Sequence, residues 1–236
     1  MFLSQFHQEN DDGIHVSAEQ ASRFAKEIAG DFNPIHNPDA KRFCVPGDLL
    51  FSLVLGKYGL SQKMCFTFSG MVGRGVALRF PQTDDAQFAI VDDNEKDYLK
   101  VERHGDVTSD VSKVEPFIRQ YVAFSGHNFP HILVPLMAEH NVMINPSRPL
   151  VVYESMSIDL ISLDFTDPVL EASDVTLDVN GKRGDARLEF DVLSGGEKIG
   201  KGFKKLVLSG LREYDEAAMQ GVIDGYLEDM RRFQAA

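Results

Sequence analysis

The stretch that decides the fold is GDFNPIHNPDAKRFCVPGDLLFSLVLGKYGL, residues 30–60. Its first part places Asp31, Asn33 and His36 in a polar segment rich in turn-forming residues. Its second part, residues 47–59, is apolar nearly all round, which in a globular chain predicts a helix enclosed by other structure. The stretch therefore predicts a loop able to handle protons that leads into a buried helix.

Asp31 and His36 are the candidate catalytic residues, because a carboxylate and an imidazole on one tight turn can hold a water and exchange protons with it. The residue before a proline favours extended backbone, so Asn33 ends the preceding helix and its side chain can hold the loop by hydrogen bonds. Pro46 and Gly47 open the apolar helix, whose first amide groups are unpaired and lie at the positive end of its dipole. That end suits a carbonyl oxygen that gains negative charge.

The same polar residues also have a purely structural interpretation. Gly30 is a natural C-cap for the helix before it, and Asn37 with Pro38 is a natural start for another short helix. In that case the segment only separates two helices. Taken alone, the short motif leaves the structural and the catalytic interpretations open.

The segment AGDFNPIHNPDAKRF, followed by PGDLLFSLVLG, resembles the hydratase signature of the MaoC-like family, the (R)-specific enoyl-CoA hydratases of the hot-dog fold. In that family a helix is followed by Gly-Asp-x-Asn-Pro-x-His, a loop, and a glycine that starts the central helix. The resemblance implies Asp31 and His36 as the catalytic pair, with Asn33 as an organiser of the site. It also implies that the amide of Gly47 binds the oxyanion. It covers about residues 17–60. The loop after the histidine is shorter than is usual in the family, and a Pro-Gly pair replaces the usual His-Gly pair.

Composition disfavours several classes of protein. The 36 acidic against 24 basic residues give a net charge of −12, whereas nucleic-acid and anionic-membrane binders need a basic face. Cys44 and Cys65 alone predict neither a disulfide framework nor a metal site. The N-terminal residues do not have the pattern of a signal peptide, and the longest apolar run, residues 49–55, is too short to cross a bilayer. We therefore expect a soluble cytoplasmic protein without nucleic-acid or membrane partners.

The chain repeats one order of elements. In the first half, a helix over residues 17–30 and the apolar helix precede strand candidates at residues 63–71, 74–80, 87–92 and 98–104. In the second half, a helix over residues 117–124 and an apolar segment at 132–137 precede strand candidates at 150–161, 169–179, 185–193 and 198–208. This order predicts an α+β fold. With the resemblance it predicts a double hot-dog, in which two units of curved antiparallel sheet each wrap a central apolar helix.

Three segments are expected along the chain. They are an N-terminal hot-dog unit with the motif at residues 1–112, a C-terminal unit without it at 113–211, and a covering amphipathic helix at 212–236. Gly30 and Gly126 correspond in the two halves. His127 then stands where the first half has Asp31, so the sequence predicts a single working site in the first half.

A phosphate-bearing ligand needs a local basic patch in so acidic a protein. Arg42 and Arg74, close to the signature in sequence, are the candidate substrate-binding residues for the phosphates of coenzyme A. The lysines of the last strand candidate are predicted to be solvated residues that protect a strand edge; they are Lys198, Lys201, Lys204 and Lys205. Cys44 follows His36 closely, but a buried inert thiol is commoner than a Cys-His nucleophile.

The resemblance implies a lyase that reversibly hydrates trans-2-enoyl-CoA to (R)-3-hydroxyacyl-CoA. Its only partner would be an acyl-CoA or acyl-carrier-protein thioester, with coenzyme A present as part of the substrate and no separate cofactor. Two alternatives stay open: a hot-dog protein that binds acyl thioesters without turnover, and a hot-dog thioesterase. The chain would act as a monomer or as a homodimer.

Overall fold

The computed structural model describes residues 1–235; Ala236, the last residue of the expected covering segment, lies outside the described residues. The helices are α1 (Ala18–Arg23, continued as a π-helix over Phe24–Ala29), α2 (Gly47–Tyr58), α3 (Val111–Gly126), α4 (Asn128–His131), α5 (Leu133–Glu139) and α6 (Glu216–Gln234). Short 3₁₀ helices cover Phe2–Gln5 and Pro34–His36.

One antiparallel sheet of seven strands forms the body of the protein, in the order β5-β6-β3-β8-β11-β10-β9. Its strands are β3 (Leu60–Phe68), β5 (Gln87–Val91), β6 (Asp97–Thr108), β8 (Val151–Leu160), β9 (Val169–Asn180), β10 (Arg183–Ser194) and β11 (Glu197–Ser209). Two small sheets contain β1 (Gln8–Asn10), β2 (Gly13–His15) and β4 (Ala77–Leu78), and β7 (Val142–Met143) and β12 (Arg212–Glu213). Because β3 of the first half pairs with β8 of the second, the large sheet runs without a break across both halves.

Helix α2 is the enclosed element that the sequence predicted. All its residues from Asp48 to Leu55 are buried. Phe51 packs against Phe66 of β3 on one side and against Tyr121 of α3 on the other, with ring centroids 5.2 and 4.5 Å apart. An apolar helix covered by an antiparallel sheet is the hot-dog unit, and the predicted α+β double hot-dog is confirmed.

The second unit has its own core around the shorter helix α5. Leu133 and Met137 of α5 pack with Leu188 of β10 and Leu206 of β11, and Met219 of α6 closes the cluster. The predicted covering helix is therefore present, with its apolar stripe on the second core.

The two halves meet where their equivalent helices end. A Cβ atom on Gly126, the last residue of α3, would lie 1.9 Å from the carbonyl oxygen of Ala29. A Cβ on Gly30 would lie 3.2 Å from Nε2 of His127. Gly30 and Gly126, predicted to correspond, thus each pack against the residue next to the other, and the loops after them share one region of the molecule.

Several predicted boundaries were wrong in detail. Helix α3 begins at Val111, six residues before the predicted start, because Asp110 caps it and Pro116 lies inside the helix. A proline usually marks a helix boundary, so the sequence did not indicate that the residues before Pro116 belong to the same helix. Of the strand predicted at residues 74–80 only β4 forms, and it pairs with β2 in a small sheet, while Arg79 adds a single bridge to Val91 of β5. The predicted division between residues 112 and 113 lies within α3; the three-segment scheme remains a prediction.

Candidate active site

The signature loop begins where the first helix ends. Gly30 caps the helix in the left-handed conformation, with φ of 65°, which glycine adopts without steric cost. The amide of Asp31 then donates to the carbonyl of Ala25, at 2.8 Å. The structural interpretation of Gly30 as a C-cap is thus correct, and the same cap sets the direction of the Asp31 side chain.

Asn33 holds the loop as predicted. Its side-chain oxygen accepts a hydrogen bond from the amide of Ile35 at 3.2 Å, which caps the 3₁₀ helix that follows. Its own amide donates to Oδ1 of Asp31 at 2.8 Å. One oxygen of the Asp31 carboxylate is therefore fixed by the backbone, and Oδ2 is left to face His36.

The tautomer of His36 follows from its hydrogen bond. Nδ1 lies 2.7 Å from the carbonyl oxygen of Cys44, and since a carbonyl can only accept, Nδ1 carries the hydrogen. In the neutral ring Nε2 then has a free lone pair, 3.6 Å from Oδ2 of Asp31. Both atoms can accept a hydrogen from one water, so its oxygen would be free to attack.

These side chains open into a cavity of about 860 Å³ between the two units. Asp31, Asn33, His36 and Gly47 all line it. Much of the remaining wall is apolar and comes from both halves, including Leu50, Phe68, Phe129, Leu133, Ile144 and Leu206. A pocket of this size with a few convergent polar groups is typical of a small-molecule site.

Gly47 presents the start of α2 to the cavity. As the first residue of the helix, its amide has no partner inside the helix. A Cβ atom at this position would lie 2.8 Å from Cδ1 of Tyr153 and 3.1 Å from Cε1 of Phe68. Only glycine allows this close packing, and Gly47 is part of the cavity wall.

A buried polar cluster next to Gly47 was missed from the sequence. Asp48 accepts hydrogen bonds from the Ser125 hydroxyl, 2.8 Å from Oδ1 and 2.7 Å from Oδ2. Lys204 of β11 donates to the Ser125 hydroxyl and, at 3.2 Å, to the Ser125 carbonyl. Its ammonium also lies 4.5 Å from the centre of the Tyr153 ring. Asp48, Ser125, Lys204 and Tyr153 all line the cavity, so the second half contributes charge to the site.

Burial governs the ionisation of this cluster. Burial raises the pKa of Asp48, and the nearby Lys204 ammonium and the Ser125 hydroxyl oppose that rise. Burial likewise lowers the pKa of Lys204, against the attraction of Asp48 and Asp31. The pKa of Tyr153 lies well above its usual range for the same reason, with the adjacent Tyr121 adding to the shift.

The prediction for the basic strand was wrong about the strand edge and about the exposure of Lys204. Strand β11 lies between β8 and β10 and is not an edge strand. Lys204 is only 5 % exposed, whereas Lys198 and Lys205 do reach the surface and pair with acidic side chains there. Because side chains alternate between the two faces of a strand, Lys204 points inward. The three other lysines nearby made the whole group resemble a solvated surface in the sequence.

The C-terminal helix α6 forms one wall of the cavity. The Tyr226 hydroxyl donates to the carbonyl of Gly30 at 3.1 Å and accepts from the amide of Phe32 at 3.2 Å. These two groups flank Asp31 in the chain. Tyr226 therefore fixes the backbone on both sides of the candidate carboxylate.

The two candidate arginines lie outside the cavity lining. Arg42 is exposed on the loop before α2. Arg74 is also exposed; it donates to the carbonyls of Pro38 and Ala40 and stacks 4.9 Å from the centre of the Phe43 ring. Arg74 thus holds the signature loop in place, and a role for either arginine in phosphate binding stays a prediction.

Cys44 is held as an inert thiol. Its carbonyl accepts from His36, and its own Sγ donates to the carbonyl of Val45 at 3.2 Å. Burial raises the pKa of the Cys44 thiol to about 11. The geometry therefore gives no support to a Cys-His nucleophile.

This assignment predicts slow alkylation of Cys44. With a pKa of about 11, only ~0.1 % of the thiol is ionised at pH 8. Iodoacetamide should leave Cys44 of the folded protein unmodified at that pH, while the protein in guanidinium is modified at both cysteines; peptide mass spectrometry measures this. Rapid modification of native Cys44 would contradict the burial.

The described residues contain neither a metal-binding cluster of side chains nor a membrane-spanning helix. Within residues 1–235 no three His, Cys, Asp or Glu side chains are grouped closely enough to hold a metal ion. No helix in this same range has the length and apolar character that a membrane crossing requires.

Fold and site together define a double hot-dog protein with a carboxylate-imidazole pair in a cavity between its two units. Residues 1–217 match the family described as "Protein of unknown function (DUF3581)", and the chain belongs to this family. The match ends at the start of α6. A comparison with curated proteins found no match.

Solved structures resemble the chain at very low sequence identity. An acyl-CoA thioesterase II, TesB2, from Mycobacterium marinum is 8% identical, with a TM-score of 0.42 over 72% of this chain and 90% of that one. A tesB protein from Mycobacterium avium subs paratuberculosis is 9% identical, with a TM-score of 0.43 over 72% and 89%. A hot-dog protein of unknown function from Alicyclobacillus acidocaldarius is 8% identical, with a TM-score of 0.44 over 89% and 98%. Similarity at this level defines no reaction.

Proposed function

We propose that this protein is an acyl-thioester hydratase that converts trans-2-enoyl thioesters reversibly to (R)-3-hydroxyacyl thioesters. The observation that carries the proposal is the pair formed by Oδ2 of Asp31 and Nε2 of His36, 3.6 Å apart in the cavity wall. Both atoms are acceptors in the neutral-imidazole state, which is the arrangement that holds and deprotonates a water. Their neighbour Gly47 supplies an amide donor at a helix N-terminus.

In this mechanism a water donates its hydrogens to Asp31 and His36. As its oxygen bonds to C3 of the enoyl group, one proton passes to the pair and the electrons of the C2=C3 bond move through C2 to the carbonyl oxygen. The Gly47 amide stabilises that oxygen as negative charge develops. The pair then returns the proton to C2, which restores the carbonyl and completes the addition of one water.

The cavity wall fits an acyl thioester as the ligand. Its apolar side chains suit an acyl chain, and its volume of about 860 Å³ falls in the range that encloses ligands of drug size. Arg42, exposed on the loop between His36 and α2, is our candidate for contact with the phosphates of coenzyme A or of an acyl-carrier arm. Arg74 would contribute indirectly, because its hydrogen bonds to the carbonyls of Pro38 and Ala40 hold the signature loop in place.

Incubation of the protein with crotonyl-CoA tests this proposal. Loss of the conjugated enoyl absorbance without release of free thiol is the expected result. Release of thiol would instead support thioester hydrolysis, in which the same water attacks the carbonyl carbon. Saturable binding with neither change would show a thioester-binding protein without turnover.

Tyr226→Phe should separate positioning from binding. The substitution removes the hydroxyl that fixes the backbone beside Asp31 but keeps the ring that packs against Phe32 and Phe129. The value of kcat for crotonyl-CoA should therefore fall about tenfold with KM nearly unchanged. Steady-state kinetics measure both constants. Tyr214→Phe is the matched control, because Tyr214 packs with the second core and, within residues 1–235, its hydroxyl makes no hydrogen bond to the signature loop. Equal effects of the two substitutions would contradict the role of Tyr226.

A further inference from the structure

Asn128 is a buried polar residue that the mechanism above does not use. It follows α3 in the second half, is 3 % exposed, and lines the same cavity as Asp31 and His36. Neither its side-chain oxygen nor its nitrogen has a hydrogen-bond partner in residues 1–235. Burying an amide without partners is costly, so such groups call for a specific explanation.

Asn128 is close in the chain to the polar side of the site. Three residues before it, Ser125 bridges Asp48 and Lys204. The next residue, Phe129, lies on the cavity wall and packs against the Tyr226 ring, with centroids 5.1 Å apart. Along the chain, Asn128 thus lies between a residue of the polar cluster and a residue of the wall formed with α6, and all three line the cavity.

The chemistry of an unpaired amide defines what it can bind. Its nitrogen needs an acceptor and its oxygen needs a donor, so a suitable partner offers both kinds of group. An acyl thioester has two such groups: the secondary amides of its pantetheine arm, and the 3-hydroxyl of a hydroxyacyl chain. Neither a saturated nor an enoyl hydrocarbon chain has one.

We infer that Asn128 is a ligand-binding residue contributed by the second half, and that it pairs with a donor-and-acceptor group of the bound thioester. The inference rests on the proposed function for the class of ligand. The second half would then bind the thioester directly through Asn128, in addition to supplying the charged Lys204 of the buried cluster. Asn128 stabilises the complex and destabilises the free protein.

Asn128→Leu tests the inference through two measurements on the full chain. The free variant should melt at a temperature equal to or about 3 °C above that of the wild type, because the unpaired amide is gone. In the Asp31→Asn background, in which turnover is suppressed, the substitution should lower the affinity for one or both of butyryl-CoA and (R)-3-hydroxybutyryl-CoA about tenfold, measured by calorimetry. Asn128→Ala repeats the test if leucine does not fit.

The two ligands identify the group that is bound. Equal loss for both indicates an amide of the pantetheine arm, and loss for the hydroxyacyl ligand alone indicates the 3-hydroxyl. Ser61→Ala is the matched control: the Ser61 hydroxyl is also buried without a partner but does not line the cavity, so affinity should not change.

Three outcomes would overturn the inference. Unchanged affinity in both Asn128 variants would show that the amide does not meet the ligand, while the hydratase proposal would stand. Lower melting temperatures in both variants would show that the amide has a partner within the protein. If the wild type binds neither thioester, the inference and the proposed function both fail.

Discussion

Replacing Asp31 by Asn should lower the turnover of crotonyl-CoA by at least about a hundredfold, the low end of general acid-base effects. The amide keeps the shape of the carboxylate and can still accept the hydrogen bond from the Asn33 amide, but it cannot take a proton from water. Thermal stability should therefore change little. Steady-state rates and melting temperatures of the purified variant measure the two effects.

His127→Gln and His131→Gln are the matched second-half controls for Asp31→Asn. His127 donates from Nδ1 to the carbonyl of Ala123 at 2.6 Å, and no carboxylate shares its loop. Both variants should keep turnover within a few-fold of the wild type. Full activity of Asp31→Asn, or loss of activity in folded second-half variants alone, would place the chemistry elsewhere, and the signature would then report ancestry only.

Lys204→Met should destabilise the protein by about 3–5 kcal/mol, because it leaves the buried Asp48 carboxylate without its countercharge. Urea unfolding at pH 7 measures the loss. Lys205→Met is the matched control on the same strand, since Lys205 pairs with Glu154 at the surface and should contribute no more than about 1 kcal/mol. The double variant Asp48→Asn, Lys204→Met should lose less than the sum of its single variants.

The loss in Lys204→Met should also depend on pH. Burial raises the folded-state pKa of Asp48 above its unfolded value of 3.8, so the folded carboxyl binds a proton where the unfolded one is ionised. The cost of the lone carboxylate is absent below the unfolded pKa and grows as the pH rises. The variant should thus lose less stability at pH 5 than at pH 7. A loss that is equal at both pH values would show that Asp48 is not the uncompensated group.

The sequence predicted those elements that depend on residues close together in the chain. The apolar run of α2 marks its burial, and Ser17 with Gln20 forms the predicted capping box. The proximity of Asp31 to His36 also follows from one tight turn, in which Asn33 supplies the hydrogen bonds. Residues within a few positions of each other can be placed from their spacing and backbone preferences alone.

The rest of the site depends on contacts between distant residues. Asp48 meets Ser125 across 77 positions, and Ser125 meets Lys204 across 79. No spacing rule joins them, and Lys204 carries the pattern of a solvated lysine until the strand order places β11 inside the sheet. The unpaired amide of Asn128 becomes visible only when all its neighbours are in place.

The most direct test of the central claim follows (R)-3-hydroxybutyryl-CoA in D₂O by nuclear magnetic resonance. If Asp31 and His36 remove and return a proton at C2 as water leaves and re-adds at C3, the wild type should form crotonyl-CoA and place deuterium at C2, while Asp31→Asn does so at least about a hundredfold more slowly. The thioester should remain intact. Release of coenzyme A without deuterium at C2, or equal exchange by the wild type and Asp31→Asn, would contradict the account.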